Sequence, residues 1–254
     1  MTPRAIRGLL IAALFAVWLA ASGLGWTNPI IIASPWSLVQ ALLKDFPRFL
    51  DALRVTFLEI GASIVIAWTA GVAAGLLAGR FGALSRIAAP VLTSAFAVPL
   101  IVIYPLLLAW VGIGWPSKIL FGVLSGFFPI ALNTLTSVQR VDSRFAVMAR
   151  AMGATEMQIF IRVIARLALP GIVSGLRVGT ALTVIGVVVT EMLASTAGLG
   201  YLISYHTMLF DTGHVYLGIA LALAIVLVLN YALSTLEQRL GTWRAVQHEA
   251  GQAT

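Results

Sequence analysis

The sequence predicts an all-α polytopic membrane protein with about six transmembrane helices. Apolar residues make up 60% of its 254 residues, charged residues only 10%, and the mean hydropathy is +1.01. Largely uncharged stretches of about 20 residues, the length that an α-helix needs to cross a bilayer, recur along the chain. Soluble domains carry about 25% charged residues, so the composition excludes that class. We expect one transmembrane domain over residues 1–254.

The sequence also excludes several kinds of site. It has no cysteine, so it offers no disulfide, thiolate metal site or cysteine nucleophile. It has neither a phosphate-binding G-x-x-x-x-G-K-[ST] loop nor a Ser-His-Asp arrangement. The net charge of +7 is typical of nucleic-acid binding, but the basic residues lie at the ends of apolar segments, where they set membrane topology. We therefore predict no nucleic-acid partner, and no metal or cofactor bound by this chain.

The first predicted span, Gly8–Leu24, follows a short basic tail, Met1–Arg7. A cleaved signal peptide is the alternative, but no clear cleavage signal precedes a soluble domain, because the rest of the chain is itself apolar. The next stretch, Gly25–Arg54, combines three prolines with mixed charges. It predicts a short amphipathic helix on the outer surface.

The second to fourth predicted spans are Val55–Gly79, Pro90–Val111 and Ile119–Gln139. Internal prolines predict a kink in the third span, and Pro129 lies near the middle of the fourth. Small residues recur at every fourth position of the second span, where they allow another helix to approach closely: Ala67, Gly71, Gly75 and Gly79.

The stretch between the fourth and fifth spans, residues 140–168, is rich in charge. Each charged residue would cost about 3 kcal/mol at the centre of a bilayer, so this stretch lies in water. Its charged residues are Arg140, Asp142, Arg144, Arg150, Glu156, Arg162 and Arg166. Four residues with the i, i+3, i+4, i+7 spacing of one helix face predict a short amphipathic helix: Phe145, Met148, Ala149 and Met152.

Gly153 is placed to end this helix, because glycine adopts a positive φ without a steric penalty. Thr155 and Gln158 have the spacing of a capping box and predict the start of a second helix. The apolar face of this second helix has the same i, i+3, i+4, i+7 spacing and consists of Met157, Phe160, Ile161 and Ile164. Pro170 would then begin the fifth span. The two faces suit the groove of a soluble partner, or they pack on lipid or on the chain's own helices.

The fifth and sixth predicted spans are Leu169–Leu193 and Val215–Leu236, joined by a loop, Ala194–Gly213, without Lys or Arg. Gly171, Gly175 and Gly179 form a second seam of small residues that could face a central pathway in a dimer.

The distribution of positive charge predicts the orientation of the chain. With six spans and a cytoplasmic Met1, the outer segments hold only Lys44, Arg48, Arg54 and Lys118, and the inner segments hold the other basic residues except Arg177, which lies within the fifth span. Because loops rich in Lys and Arg stay in the cytoplasm, both termini and residues 140–168 are predicted there.

The run A-R-A-M-G-A-T, followed by Leu169 and Pro170, resembles the cytoplasmic "EAA" loop of inner-membrane permease subunits of bacterial binding-protein-dependent ABC importers. The Glu-Ala-Ala of that loop aligns with Val147, Met148 and Ala149, so the acidic residue is missing here. The runs P-G-I-V-S-G-L-R and G-V-V-V-T-E-M-L-A-S-T-A-G-L-G-Y-L-I are similar to the nitrate, sulfonate and taurine branch. The resemblance covers most of the chain from Val55 to Trp243.

The resemblance implies a type I ABC importer permease, a multi-pass protein of the bacterial inner membrane that has no ATPase activity of its own. Two cytoplasmic subunits would bind ATP and contact residues 140–168, hereafter the coupling segment. A periplasmic binding protein would deliver nitrate, a sulfonate, taurine or a vitamin precursor, and a second copy of the chain would complete the pathway. The residues implied in coupling are Phe145, Met148, Ala149, Arg150, Met152, Gly153, Ala154, Thr155, Gln158 and Pro170.

Three ionisable residues, Glu59, Arg177 and Glu191, fall within or at the ends of the predicted spans. Charges inside a membrane are costly and mark functional positions by default, so all three are candidates to line the pathway. The alternative for Glu191 is a buried partner for Arg177 or for a backbone donor. A direct pair within one helix is excluded, because the two residues would lie about 21 Å apart.

Two other functional classes are open from the residues alone. An ion-coupled secondary transporter would need an inverted repeat, and only the two glycine seams hint at one. A membrane-embedded metal-dependent enzyme could use His206, Asp211 and His214 with Glu191, because imidazole and carboxylate bind zinc. The spacing matches no H-E-x-x-H motif, so we expect these three to be solvated loop residues.

Overall fold

The computed structural model describes residues 3–24, 26, 28 and 30–240. These residues form helices and loops and no strand, which confirms the predicted fold class. The helices are α1 (Pro3–Gly23), α2 (Pro35–Arg80), α3 (Gly82–Ala97), α4 (Leu100–Val111), α5 (Trp115–Gln139), α6 (Ser143–Ala151), α7 (Glu156–Gln158), a π-helical turn (Ile159–Ile164), α8 (Ala165–Leu193), α9 (Leu199–Met208) and α10 (Thr212–Leu240).

Four described helices are long and apolar enough to cross a membrane, and α3 with α4 makes a fifth if the bent pair counts as one span. The four are Pro35–Arg80, Trp115–Gln139, Glu156–Leu193 and Thr212–Thr235. The first predicted span appears as a shorter apolar helix, Gly8–Gly23. Several basic residues used to predict the orientation have side chains outside the described part: Arg4, Arg7, Arg239 and Arg244.

The predicted third span is broken rather than kinked. α3 and α4 meet at an angle of 88°. Val98, between them, has φ −69° and ψ 128°, and Pro99 is likewise extended. A residue before proline is driven out of the helical region by the proline ring, so the chain leaves the helix at Val98. Pro105, inside α4, causes no comparable break.

The predicted outer amphipathic helix is not separate from the second span. Both belong to α2, which bends at Asp45, whose φ of −119° and ψ of 26° are not helical. Pro47 follows two residues later and lacks the backbone N–H that a regular helix requires, which accounts for a bend at this point.

The second predicted surface helix is likewise not separate from the fifth span. Helical backbone runs without a gap from Glu156 to Leu193, and Pro170 lies inside α8 rather than at its start. The π-helical turn, in which the Ala165 N–H donates to the Phe160 carbonyl, carries the chain from α7 into α8. Residues 140–168 therefore hold one free-standing short helix, α6, and the first turns of a long one.

Contacts divide the chain into two compact units. Unit 1 contains the described parts of Met1–Phe57 and Glu191–Ala224, and unit 2 contains those of Leu58–Thr190 and Ile225–Thr254. Unit 2 is built around α5, against which α2 and α8 pack.

Both glycine seams pack against α5 in unit 2. A Cβ atom added at Gly71 would lie 2.8 Å from the Ile130 side chain, and one at Gly79 would lie 2.7 Å from Val138. On α8, a Cβ atom at Gly175 would lie 2.7 Å from Asn133. Close helix packing, predicted for the first seam, is confirmed. The second seam is filled by α5 of the same chain and does not face an open pathway.

We predict that Gly75→Val destabilises the fold. A Cβ atom at Gly75 would lie 2.5 Å from Thr134 Cβ and 2.6 Å from the Ala131 carbonyl oxygen. Such overpacking costs roughly 1–3 kcal/mol, and each kcal/mol lowers the melting temperature of a chain of this size by about 2–4 °C. Thermal unfolding of the purified protein in detergent measures the change.

Gly61→Val is the matched control, because Gly61 lies in the same helix and a Cβ atom there meets nothing within 4 Å. Equal melting temperatures for the Gly75→Val and Gly61→Val variants would contradict this account of the seam.

Candidate functional site

α6 begins with a capped and charged first turn. The Asp142 carboxylate accepts a hydrogen bond from the Arg144 backbone N–H at 2.9 Å and another from the Arg144 guanidinium at 2.8 Å. The side-chain hydrogen bond from Arg144 is the main cause of a pKa of Asp142 below its ordinary value. The carboxylate is therefore ionised at neutral pH, and its negative charge stabilises the N-terminus of α6.

The predicted apolar face of α6 is exposed. Phe145 is 45% exposed, Met148 63% and Met152 86%, and no residue of α6 is fully buried. Exposed large apolar side chains grouped on one helix face are typical of a surface that another protein covers.

The turn after α6 has the predicted conformation. Gly153 has φ +84°, its N–H donates to the Arg150 carbonyl, and the Ala154 N–H donates to the Ala149 carbonyl. These two bonds form a Schellman motif, which satisfies carbonyl groups left free at a helix end. Thr155 and Gln158 then form a reciprocal capping box at the start of α7. The sequence therefore predicted this turn correctly.

An ion pair that the sequence did not suggest crosses the same turn. The Arg150 guanidinium donates to Glu156 Oε1 at 2.6 Å and 2.9 Å. Both side chains are more than half exposed, so the pair contributes at most about 1 kcal/mol to stability. It joins the end of α6 to the start of α7.

The second predicted apolar face is divided. Phe160 and Ile164 pack against a buried cluster of Val138, Ala168 and Ile172, whereas Met157 and Ile161 are about half exposed. The prediction of one face was wrong because it assumed an unbroken α-helical phase. The π-helical turn adds a residue per turn and shifts that phase.

A cavity of about 390 Å³ lies beside α6. Its walls come from the end of α5, from α6 and from α8, and they are Ser137, Arg140, Val141, Asp142, Phe145, Leu167, Ala168 and Gly171. The cavity therefore adjoins the buried cluster, because Ala168 belongs to both.

Two of the three ionisable residues expected along the pathway are buried and paired. In unit 2, the Glu59 carboxylate lies 2.5 Å from Lys118 Nζ, and both side chains are almost fully buried. Lys118 was predicted in an outer segment just before the fourth span, but it lies within that helix, because α5 begins at Trp115. No signal in the sequence pairs these two residues.

In unit 1, the Glu191 carboxylate is 1% exposed and binds the N-terminus of α9. It accepts hydrogen bonds from the Gly200 N–H at 2.8 Å and from the Thr56 hydroxyl at 2.7 Å. The Thr56 oxygen in turn accepts the Leu199 N–H at 2.8 Å. The first N–H groups of a helix lack partners within it, and here a carboxylate and a hydroxyl supply them. Of the alternatives for Glu191, a backbone donor is the partner observed. Arg177 is partly buried in α8.

His206 and His214 are buried, so the expectation of solvated loop residues was wrong for both. His206 is 4% exposed and His214 6%, because the predicted loop folds into α9 and into the first turn of α10. Burial is the main cause that lowers the pKa of His206, and it outweighs the attraction of Asp211. Burial alone would raise the pKa of Asp211, but contacts with His214 lower it below its usual range.

Comparison with known proteins gives a family and a fold. A family model described as "Binding-protein-dependent transport system inner membrane component" matches residues 71–242. The riboflavin transport system permease protein RibX of Chloroflexus aurantiacus is 37% identical over 162 residues, which are 64% of this chain and 60% of RibX. The taurine transport system permease protein TauC of Escherichia coli K12 is 30% identical over 240 residues, which are 92% of this chain and 87% of TauC.

Among solved structures, the fold is similar to that in the inward-facing conformations of the MetNI methionine ABC transporter. The TM-score is 0.68 at 18% identity, over 77% of this chain and 97% of the matched chain.

Proposed function

Because the chain belongs to the family of binding-protein-dependent transport system inner membrane components and is a permease subunit of an ABC importer, we propose that its coupling segment receives the motion of a cytoplasmic ATPase. In this proposal α6 inserts its apolar face into a groove of the ATPase subunit. Closure of the two ATPase subunits on ATP then moves α6, and α6 moves the transmembrane helices.

The observation that supports this role most strongly is the exposed apolar face of α6. Phe145, Met148 and Met152 are 45% to 86% exposed in the described part of the chain, and the charges around them keep this segment out of the core of the bilayer. A helix that presents apolar residues at this spacing fits the groove of another protein. The end of α6 and the turn into α7 are formed with Ala149, Ala154, Thr155 and Gln158. We assign these residues to the same contact with the ATPase subunit.

Contacts within unit 2 supply a route from the coupling segment into the spans. Phe160 and Ile164 pack on Val138 of α5 and on Ala168 and Ile172 of α8. The Arg80 guanidinium, at the end of α2, lies 5.8 Å from the centre of the Phe160 ring. Because packed side chains move together, a displacement of the coupling segment would shift the adjoining ends of α2, α5 and α8.

The role of an importer permease also implies the remaining partners of the chain and its orientation in the membrane. ATP would bind to the partner subunits, since this chain has no phosphate-binding loop. Both termini would be cytoplasmic, and a second copy of the chain would complete the pathway. A periplasmic binding protein would dock at Gly25–Arg54 and Ala194–Gly213, the outer segments of this topology.

For the solute we propose a small polar molecule such as nitrate, a sulfonate, taurine or a vitamin precursor. RibX and TauC carry riboflavin and taurine in their names. The pairing of Glu59 with Lys118 and the capping role of Glu191 favour positioning over direct contact with solute. Arg177, partly buried in α8, stays a proposed pathway residue with them.

We predict that Met148→Glu weakens binding of the ATPase subunit. A carboxylate buried in an apolar interface without a partner costs several kcal/mol, and each 1.4 kcal/mol is a factor of ten in affinity. We expect association to weaken by about tenfold or more, measured by titrating the ATPase subunit into the permease in lipid nanodiscs.

Val147→Glu is the matched control for that variant. Val147 is similarly exposed, at 59%, but lies off the apolar face, and glutamate there restores the acidic residue of the "EAA" loop. Binding unaltered by Met148→Glu, or weakened equally by Val147→Glu, would refute docking through this face.

We also predict that Gly153→Val uncouples ATP hydrolysis from uptake. At φ +84° an L-residue costs roughly 1–2 kcal/mol, although a Cβ atom there meets nothing within 4 Å. The variant should therefore insert normally but lose the defined angle between α6 and α7. Uptake per ATP hydrolysed, measured in proteoliposomes, should fall severalfold.

Gly153→Asn separates backbone strain from other effects, because asparagine tolerates positive φ better than valine. It should retain most of the coupling. Full coupling in Gly153→Val would show that the turn geometry does not matter.

A further inference from the structure

Two buried histidine rings lie face to face in unit 1. His206 is in the last turn of α9 and His214 is in the first turn of α10. The ring centroids are 4.3 Å apart and the ring planes differ by 7°. The Phe49 ring lies nearly parallel to both, with its centroid 6.2 Å from that of His206 and 6.0 Å from that of His214. Packing therefore holds the two imidazoles against each other.

The stacked arrangement excludes a metal ion shared by the two rings. A metal binds a ring nitrogen at about 2.0 Å along a lone pair that lies in the ring plane, and no ion can satisfy this in two parallel, stacked planes. Both nitrogens of His214 also contact carboxylates already. The chemistry that remains for the pair is the gain and loss of protons.

The contacts of His214 favour a proton on each of its ring nitrogens. Nδ1 lies 2.7 Å from Asp211 Oδ2, and Nε2 lies 2.9 Å from Asp45 Oδ2. Neither contact has the alignment of a good hydrogen bond, so both are ion-pair contacts. A nitrogen lone pair this close to a carboxylate oxygen would be repelled, whereas two negative charges favour a protonated ring. His214 is therefore an imidazolium that joins Asp45 to Asp211.

The surroundings of His206 favour its neutral form. Its nitrogens are buried and make no hydrogen bond within the described residues, and Nδ1 lies 3.5 Å from Asp211 Oδ2. Burial is the main cause that lowers the pKa of His206, and the charges of His214 and Arg48 lower it as well. The attraction of Asp211 and Asp45 is too weak to reverse this. The stacked pair therefore holds one proton, whereas two exposed histidines can hold two.

We propose that His206 and His214, with Asp45 and Asp211, form a one-proton latch in unit 1 that opens when it gains or loses a proton. Loss of the proton removes the cation between the two carboxylates. Gain of a second proton places two cations face to face, where they repel. Asp45 is the residue at which α2 bends, so the closed latch joins that bend to the connection between α9 and α10.

Other charged and polar groups border the latch. The Arg48 guanidinium lies 4.7 Å from the centre of the Tyr205 ring, and Tyr205 meets the His206 ring edge-on at 5.2 Å. Lys44 and His214 both line a cavity of about 510 Å³, which gives water and protons access to the latch. In the topology proposed above these residues lie on the outer side, so the response to external pH rests on that proposal, whereas the latch itself does not.

Proton counting gives the pH dependence of the latch. In the open form each histidine takes up a proton near the ordinary pKa of about 6.5. Below that pH the open form holds two protons and the closed form one, so acid favours opening. Above it the open form holds none and the closed form one, so alkali also favours opening. The closed form is therefore most stable near pH 6.5, and the ratio of open to closed latch should rise by up to about eightfold at pH 5.0 and at pH 8.0.

Hydrogen exchange of the full chain in lipid nanodiscs, read by mass spectrometry, tests the latch. In peptides that cover residues 204–216 we expect exchange, corrected for the intrinsic effect of pH on amide exchange, to be slowest near pH 6.5. It should rise severalfold towards both pH 5.0 and pH 8.0. Neither the ATPase nor uptake enters this measurement, so its failure is distinct from a failure of the coupling role.

Variants that remove one titrating ring should make this profile one-sided. His206→Phe keeps an aromatic ring in the stack and leaves only the proton of His214, so opening should rise towards alkaline pH alone. His214→Phe leaves only His206, so opening should rise towards acid alone. His248→Asn, which removes the third histidine of the sequence, is the matched control and should keep the two-sided profile.

The wild type and His206→Phe decide the proposal. Wild-type exchange that does not change between pH 5.0 and pH 8.0, or that changes in one direction only, would overturn it. A two-sided profile that persists in His206→Phe would overturn it as well.

Discussion

The coupling segment cannot enter lipid, and the rest of the structure depends on that constraint. Its charged residues would each cost about 3 kcal/mol at the centre of the bilayer, so the chain must leave the membrane between α5 and α8. Yet Phe145, Met148 and Met152 within it are apolar and uncovered in the described part of the chain. A surface kept out of the bilayer core and unfavourable in water fits a protein partner, and we propose that this partner is the ATPase subunit.

Close packing joins this surface to the membrane helices. Gly75 and Gly175 leave room for the Thr134 and Asn133 side chains of α5, so α2 and α8 pack closely against α5. The continuity of helix from Glu156 to Leu193 has the same effect, because no flexible loop separates the coupling segment from the fifth span. The cavity beside Phe145 interrupts this packing at the start of α6.

The sequence predicted those features that depend on nearby residues. The exposed face of α6, the positive φ of Gly153 and the capping box at Thr155 each follow from spacings of a few residues. The break at Val98 could also have been predicted, since proline follows it. The π-helical turn and the continuity of α7 into α8 could not, because both depend on how Phe160 and Ile164 pack against other helices.

Pairs between residues far apart in the sequence could not be predicted for the same reason. Lys118 with Glu59, Thr56 with Glu191 and His206 with His214 meet only after separate helices have packed. All of these residues except Thr56 were singled out from the sequence, but none of them was assigned its partner. Buried polar pairs are specified by tertiary structure, and a single sequence carries little information about them.

Cysteine accessibility at position 152 tests the central claim most directly. The chain has no cysteine, so Met152→Cys introduces a single thiol at the most exposed residue of the apolar face of α6. We expect a membrane-impermeant maleimide to label it from the cytoplasmic side of inverted vesicles, and the bound ATPase subunit to protect it. Labelling from the outer side, or labelling that the ATPase subunit does not reduce, would contradict the account.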